Sequence, residues 1–158
     1  MDLILVKYVH VLSSTMLFGT GIGTAFYLLF VSLTRDVHAI AVVARWVVIA
    51  DWIFTATTII IQPASGFYLA HLIGWPLTAP WLLWSTVAFV LAAMCWLPVV
   101  WLQMRLRDIA MEADARGQPL PRSYGRLLAC WVALGIPALA SFLAIFYMMV
   151  AKQVPFTG

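Results

Sequence analysis

The stretch Leu3–Val31, LILVKYVHVLSSTMLFGTGIGTAFYLLFV, decides the architecture. It exceeds the ~20 apolar residues that cross a hydrocarbon core, yet it holds Lys7 and His10 and then a trail of small residues. An ionisable group inside a spanning helix costs roughly 2.5–3.5 kcal/mol or more, so it marks a functional position by default. Three further apolar stretches follow, at about 44–72, 81–104 and 127–151. With helices at 3–31, 44–72, 81–104 and 127–151, the expected fold is all-α. It is an integral membrane four-helix antiparallel bundle, and residues 1–158 form a single transmembrane domain.

Composition agrees. The 158 residues are 65% hydrophobic and only 9% charged, with a mean hydropathy of +1.01. A water-soluble chain of this size cannot hide that much apolar surface, so the lipid bilayer is its expected solvent. The net charge of +3 therefore points to loop arginines and not to nucleic acid. Arg35 and Arg45 flank the first connection, and Arg105, Arg107, Arg116, Arg122 and Arg126 crowd the third. The second connection, GWPLTAP, has no charge. The positive-inside rule then places the first and third connections in the cytoplasm and both termini on the periplasmic side. The segment after Met104 is taken as a solvated connector, and His38 as a solvated loop residue. Cys95 and Cys130 lie in apolar segments without a C-x-x-C spacing and are expected to be free thiols. The first segment lacks a basic n-region and a small-residue cleavage site, and is expected to be retained.

Two polar stripes lie inside the spans. On the first helix Lys7, His10, Ser14, Gly21 and Thr24 share a side, while Thr15, Gly19 and Gly23 form a small-residue strip for close helix contact. On the second, Asp51, Thr55, Thr58, Gln62 and Ser65 follow helical spacing and must face the bundle or a water-filled cavity. Arg45, Arg105 and Arg126 are within reach of Asp51, and a structural ion pair is expected there. Pro63 is expected to bend this helix. His71, near its far end, falls opposite the stripe and reads as an interfacial residue.

No nucleophile triad, paired-carboxylate site, H-E-x-x-H or phosphate loop is present. A neutral imidazole among small residues, with a cation one turn outward, suits a haem: His10 on the iron, Ser14 and Gly21 giving the macrocycle room, Lys7 on a propionate. The second ligand is open among His71, Met148, Met149 and an exogenous group. The same spacing serves equally well for a histidine hydrogen-bonded across helices.

The stretches DWIFTATTIIIQPASGFYLAH, GWPLTAPWLLWS, CWLPVVWLQMRLRD and PALASFLAIFYMMVAK resemble an uncharacterised family of predicted four-helix bacterial integral membrane proteins. Lys7-Tyr8-Val9-His10 with the four-helix layout more distantly resembles the HemJ-type protoporphyrinogen oxidases and the membrane domain of CopD-type copper-resistance proteins. The HemJ resemblance implies haem b on His10. The third segment has no lysine and the first ends YLLFVSLTRD without the Pro-Arg of that family, so it implies haem binding more than that oxidation. The expectation is a multi-pass haem b protein of the bacterial inner membrane, a redox protein acting in electron transfer or HemJ-like oxidation with a quinone or another redox partner. Two alternatives stand beside it. One is a small transporter or metal-handling protein using the Asp51–Gln62 stripe. The other is an accessory subunit or homo-oligomer docked through small-residue strips.

Overall fold

A computed structural model describes residues 2–154. Four long helices account for nearly all of them: α1 (Leu3–Thr34), α2 (Val37–Ile73), α3 (Pro80–Ala115) and α4 (Arg122–Ala151). Each is long and apolar enough to cross a membrane, and no strand occurs among the described residues. Cross-helix contacts give the antiparallel arrangement. His10 of α1 meets Ser65 of α2, Asp51 of α2 meets Gln103 of α3, and Ser32 of α1 meets Tyr124 of α4. Both described chain ends thus lie at one end of the bundle, called here the terminal end, with Arg35 and Arg116 at the other, the arginine end.

The helices extend further than hydropathy indicates. α2 begins at Val37 and not near residue 44, because Asp36 caps it by accepting from the Ala39 N–H at 3.0 Å. Only Arg35 and Asp36 separate it from α1. α3 runs on to Ala115, so the expected connector after Met104 is helical. His38 is likewise in a helix, where its Nδ1 lies 3.0 Å from the Asp114 carboxylate of α3. α2 stops at Gly74, whose φ of 79° only glycine adopts freely; the following Trp75 N–H donates back to Ala70 at 2.9 Å. Pro80 then opens α3 at its first turn.

Hydropathy misses these extensions because it registers the hydrocarbon span and not the helix. Beyond the span the helices become amphipathic, and that is where the tightest packing lies. Leu28, Ile40 and Leu106 are each 0% exposed. They form one cluster with Ala44, Ala110, Tyr124 and Trp131. Association between helices in lipid has no hydrophobic driving force; a water-driven core can form only where the bundle nears water. Gly19 and Gly23, expected to seat a neighbouring helix, have nothing within 4 Å of an added β-carbon. That strip makes no close contact among the described residues.

α2 is interrupted once. Asp51–Thr55 is a single π turn, with the Ala56 N–H donating to the Asp51 carbonyl. A wide turn of this kind inside an α-helix is frequent at functional sites.

Candidate functional site

Two polar sites lie along the inward face of α2, separated by eleven residues between Asp51 and Gln62, or about 16 Å of helix rise.

The first, nearer the terminal end, is built around His10. Ser65 Oγ lies 3.0 Å from its Nδ1, and the Gln62 amide nitrogen 3.4 Å from its Nε2. Ser65 donates its own proton to the Ile61 carbonyl at 2.7 Å, so Nδ1–H donates to Ser65. That leaves Nε2 to accept from Gln62, whose carbonyl accepts from Ser13. The imidazole thereby has a partner at each ring nitrogen. It rests on Gly66, where a β-carbon would come within 2.9 Å of its Cε1. The histidine hydrogen-bonded across helices is what this arrangement contains. Ser13, 4% exposed, was not singled out in the sequence, although it lies three residues from His10 and hence on the same face. Ser14 instead donates to its own helix at Val11.

Of the other residues expected around His10, Met149 shares a small space with Gln62 and Gly66, and the rest are elsewhere. Lys7 is exposed on α1 and His71 on α2. Met148 is buried within α4, and Met149 packs beside Ala70, Trp81 and Leu82. Lys152, just past α4, places its ammonium 4.2 Å over the Trp81 ring. Its own burial, and then the like charge of Lys7, draw that ammonium below the ordinary lysine range.

The second site is the π turn itself. The Asp51 carboxyl is 5% exposed. It accepts from Thr55 at 3.0 Å and from the Gln103 amide of α3 at 2.8 Å. No arginine pairs with it: the ion pairs among the described residues involve Asp108, Glu112 and Asp114, all at the arginine end. Arg105 instead lies over Trp101 at 5.9 Å. The expected ion pair is replaced by two neutral donors, because α2 turns Asp51 toward Gln103 and into the bundle.

Asp51, Thr55 and Gln103, with Thr24 of α1, form the polar part of the wall of a cavity of about 370 Å³ between all four helices. Its remaining wall is apolar and rich in aromatic rings, among them Phe18, Phe89, Trp96, Trp131 and Phe142. Three buried polar atoms of these lining residues have no hydrogen-bond partner among the described residues: Trp96 Nε1, Trp131 Nε1 and Gln103 Oε1. The cavity reaches the outer surface. The α1–α4 seam is clasped at two levels, by Phe18 on Phe142 and Phe146 and by Ser32 on Tyr124 at 2.7 Å. Between those levels Ile22, Phe26, Ile136 and Leu139 both line the cavity and stand exposed. In a bilayer that gap faces lipid tails.

Residues 4–153 match the family model described as predicted integral membrane protein DUF2269. The chain belongs to this family. No curated protein and no solved structure matches it. Nothing in these comparisons links this DUF2269 protein to the HemJ-type or CopD-type proteins.

The family description names no cofactor, so the haem expectation is tested on the residues alone. Both nitrogens of His10 are engaged, and the space next to Gln62 and Gly66 is about 60 Å³. The large cavity has no His, Cys, Met, Tyr or Lys among its lining residues. A macrocycle on His10 does not fit this arrangement. Among the described residues no three His, Cys, Asp or Glu converge as metal ligands either.

Proposed function

We propose that this four-span membrane protein binds a lipophilic small molecule inside the bilayer, with the ligand's polar head at Asp51, Thr55 and Gln103 and its apolar body among the aromatic rings. The observation that supports this reading is a buried carboxyl on the wall of an apolar cavity that opens toward lipid. At about 370 Å³ the cavity falls within the ~300–1,000 Å³ of small-molecule sites, and it has their make-up of apolar walls and a few convergent polar groups. Entry is lateral, through the α1–α4 gap. The arginine distribution favours a cytoplasmic arginine end and periplasmic termini, in a bacterial inner membrane. This reading keeps the polar stripe of the sequence but divides its labour. Asp51 and Thr55 belong to the binding site, while Gln62 and Ser65 hold His10.

The test uses the neutral dye N-phenyl-1-naphthylamine, which brightens in apolar sites, with the protein in phosphatidylcholine nanodiscs. Wild type gives a saturable signal above empty nanodiscs. Gly135, which lines the cavity and has open space where a side chain would go, is replaced by leucine to fill it, and the saturable signal disappears. Identical signals from wild type, Gly135→Leu and empty discs overturn the reading. A Soret band in purified protein, lost in His10→Ala, would restore haem instead.

A further inference from the structure

The cavity's chemistry narrows its ligand, given that the cavity is a binding site at all. Asp51 is a carboxyl surrounded by hydrocarbon with no basic side chain within 4 Å among the described residues. Its two hydrogen bonds come from a hydroxyl and an amide, which ease a negative charge without cancelling it. A carboxylate held this way lowers its energy by gaining a cation or a proton. The amide that donates to it leaves its own carbonyl, Gln103 Oε1, buried and without a partner; Gln103 is 3% exposed. The same cavity is lined by aromatic rings, Phe18, Phe26, Phe89, Trp96, Trp131 and Phe142. Ring faces carry negative quadrupole density and attract cations most strongly where water is excluded. Aqueous metal ions are poor candidates: hard cations want six or more oxygen ligands, and the described residues provide no convergent ligand set.

We propose that the cavity selects lipophilic organic cations, molecules with one delocalised or alkyl-shielded positive charge on an apolar body. The positive centre sits beside the Asp51 carboxylate, and the apolar substituents occupy the ring-lined volume. A charge spread over an apolar body is also what can travel through lipid to the α1–α4 gap. The competing class is a neutral carbonyl-bearing lipophile such as a quinone, which would fill the same apolar volume without a charge. Asp51 discriminates between the two classes, because only the first responds to its charge.

The experiment measures tritiated tetraphenylphosphonium binding to the full chain in phosphatidylcholine nanodiscs, whose zwitterionic lipid adds no net charge. The proposal expects saturable binding to wild type and to Asp51→Glu. In Asp51→Asn it expects affinity at least tenfold lower, with far-UV circular dichroism and unfolding midpoint showing an intact fold. Equal affinity in wild type and a folded Asp51→Asn overturns the cation inference. So does displacement of bound N-phenyl-1-naphthylamine by decylubiquinone but not by tetraphenylphosphonium, an outcome that leaves the cavity reading standing. Absence of saturable dye binding removes both.

Discussion

Replacing Gly66 with alanine tests the packing of His10. The new β-carbon would stand 2.9 Å from His10 Cε1, whereas unstrained carbon atoms meet at about 3.5–4.0 Å. The ring must therefore retreat by ~0.6–1.1 Å. It starts 3.0 Å from Ser65 Oγ and 3.4 Å from the Gln62 amide, so either the clash or the hydrogen bonds must yield. Overpacking costs about 1–3 kcal/mol, and the two bonds about 0.6 kcal/mol each at the average measured in a bilayer protein. Alanine's better helix propensity returns ~1 kcal/mol. The net expectation is a loss of about 1–3 kcal/mol. Gly135→Ala, at a site where nothing lies within 4 Å, has only the propensity gain, so the two substitutions should differ by about 2–4 kcal/mol. Equilibrium unfolding in mixed micelles measures both. In a His10→Ala background the difference should shrink below ~1 kcal/mol, since the obstructing ring is gone. Equal stability of the two alanine variants, or an unchanged difference without His10, would refute the reasoning.

Three further outcomes are expected. Gln103→Leu removes the donor that meets Asp51 at 2.8 Å and should cost about 1–3 kcal/mol in the same unfolding assay; the triple variant Asp51→Val, Thr55→Val, Gln103→Leu should recover most of it, because all three members of the buried network are then apolar. Tyr124→Phe deletes the hydroxyl that clasps Ser32 across the α1–α4 seam and should cost about 0.6 kcal/mol, with Ser32 still donating to the Leu28 carbonyl. Lys7→Gln removes a positive charge that holds down the Lys152 ammonium. The Lys152 pKa should rise, as read from an NMR titration of the dimethylated lysine.

Much of the fold was legible because hydropathy and arginine placement report directly on the hydrocarbon slab. Four spans and an inward Asp51–Ser65 face follow from that alone. The helix ends were not legible to it. Val37–Ala44 is apolar but closely flanked by Arg35, Asp36 and Arg45, and Leu106–Ala115 carries Arg107, Asp108, Glu112 and Asp114; in the latter, Leu106 and Ala110 among those charges are a water-facing helix pattern. The π turn left no local mark, since Asp-Trp-Ile-Phe-Thr fits an ordinary helix. Without it, nothing in the spacing told Arg105 from Gln103 as the partner of Asp51. His10 was identified as an inward group, but spacing could not show that both its nitrogens were satisfied, because Ser13, Gln62 and Ser65 come together only once α1 and α2 are paired. The cavity depends on four helices at once and has no linear signature.

The unequal distribution of packing along the bundle axis has a mechanical consequence. Knotted together by the Leu28–Ile40–Leu106 cluster, the four rods behave like tongs joined at the handle, the gripping arms being the membrane-embedded halves. Toward the terminal end the arms meet through narrower contacts, Phe18 on Phe142 and Phe146 and His10 on Ser65 and Gln62. Beside Gly21 and Gly135, where nothing lies within 4 Å of an added β-carbon, the seam has the least protein to define its width, and it is the joint that keeps the arms in register.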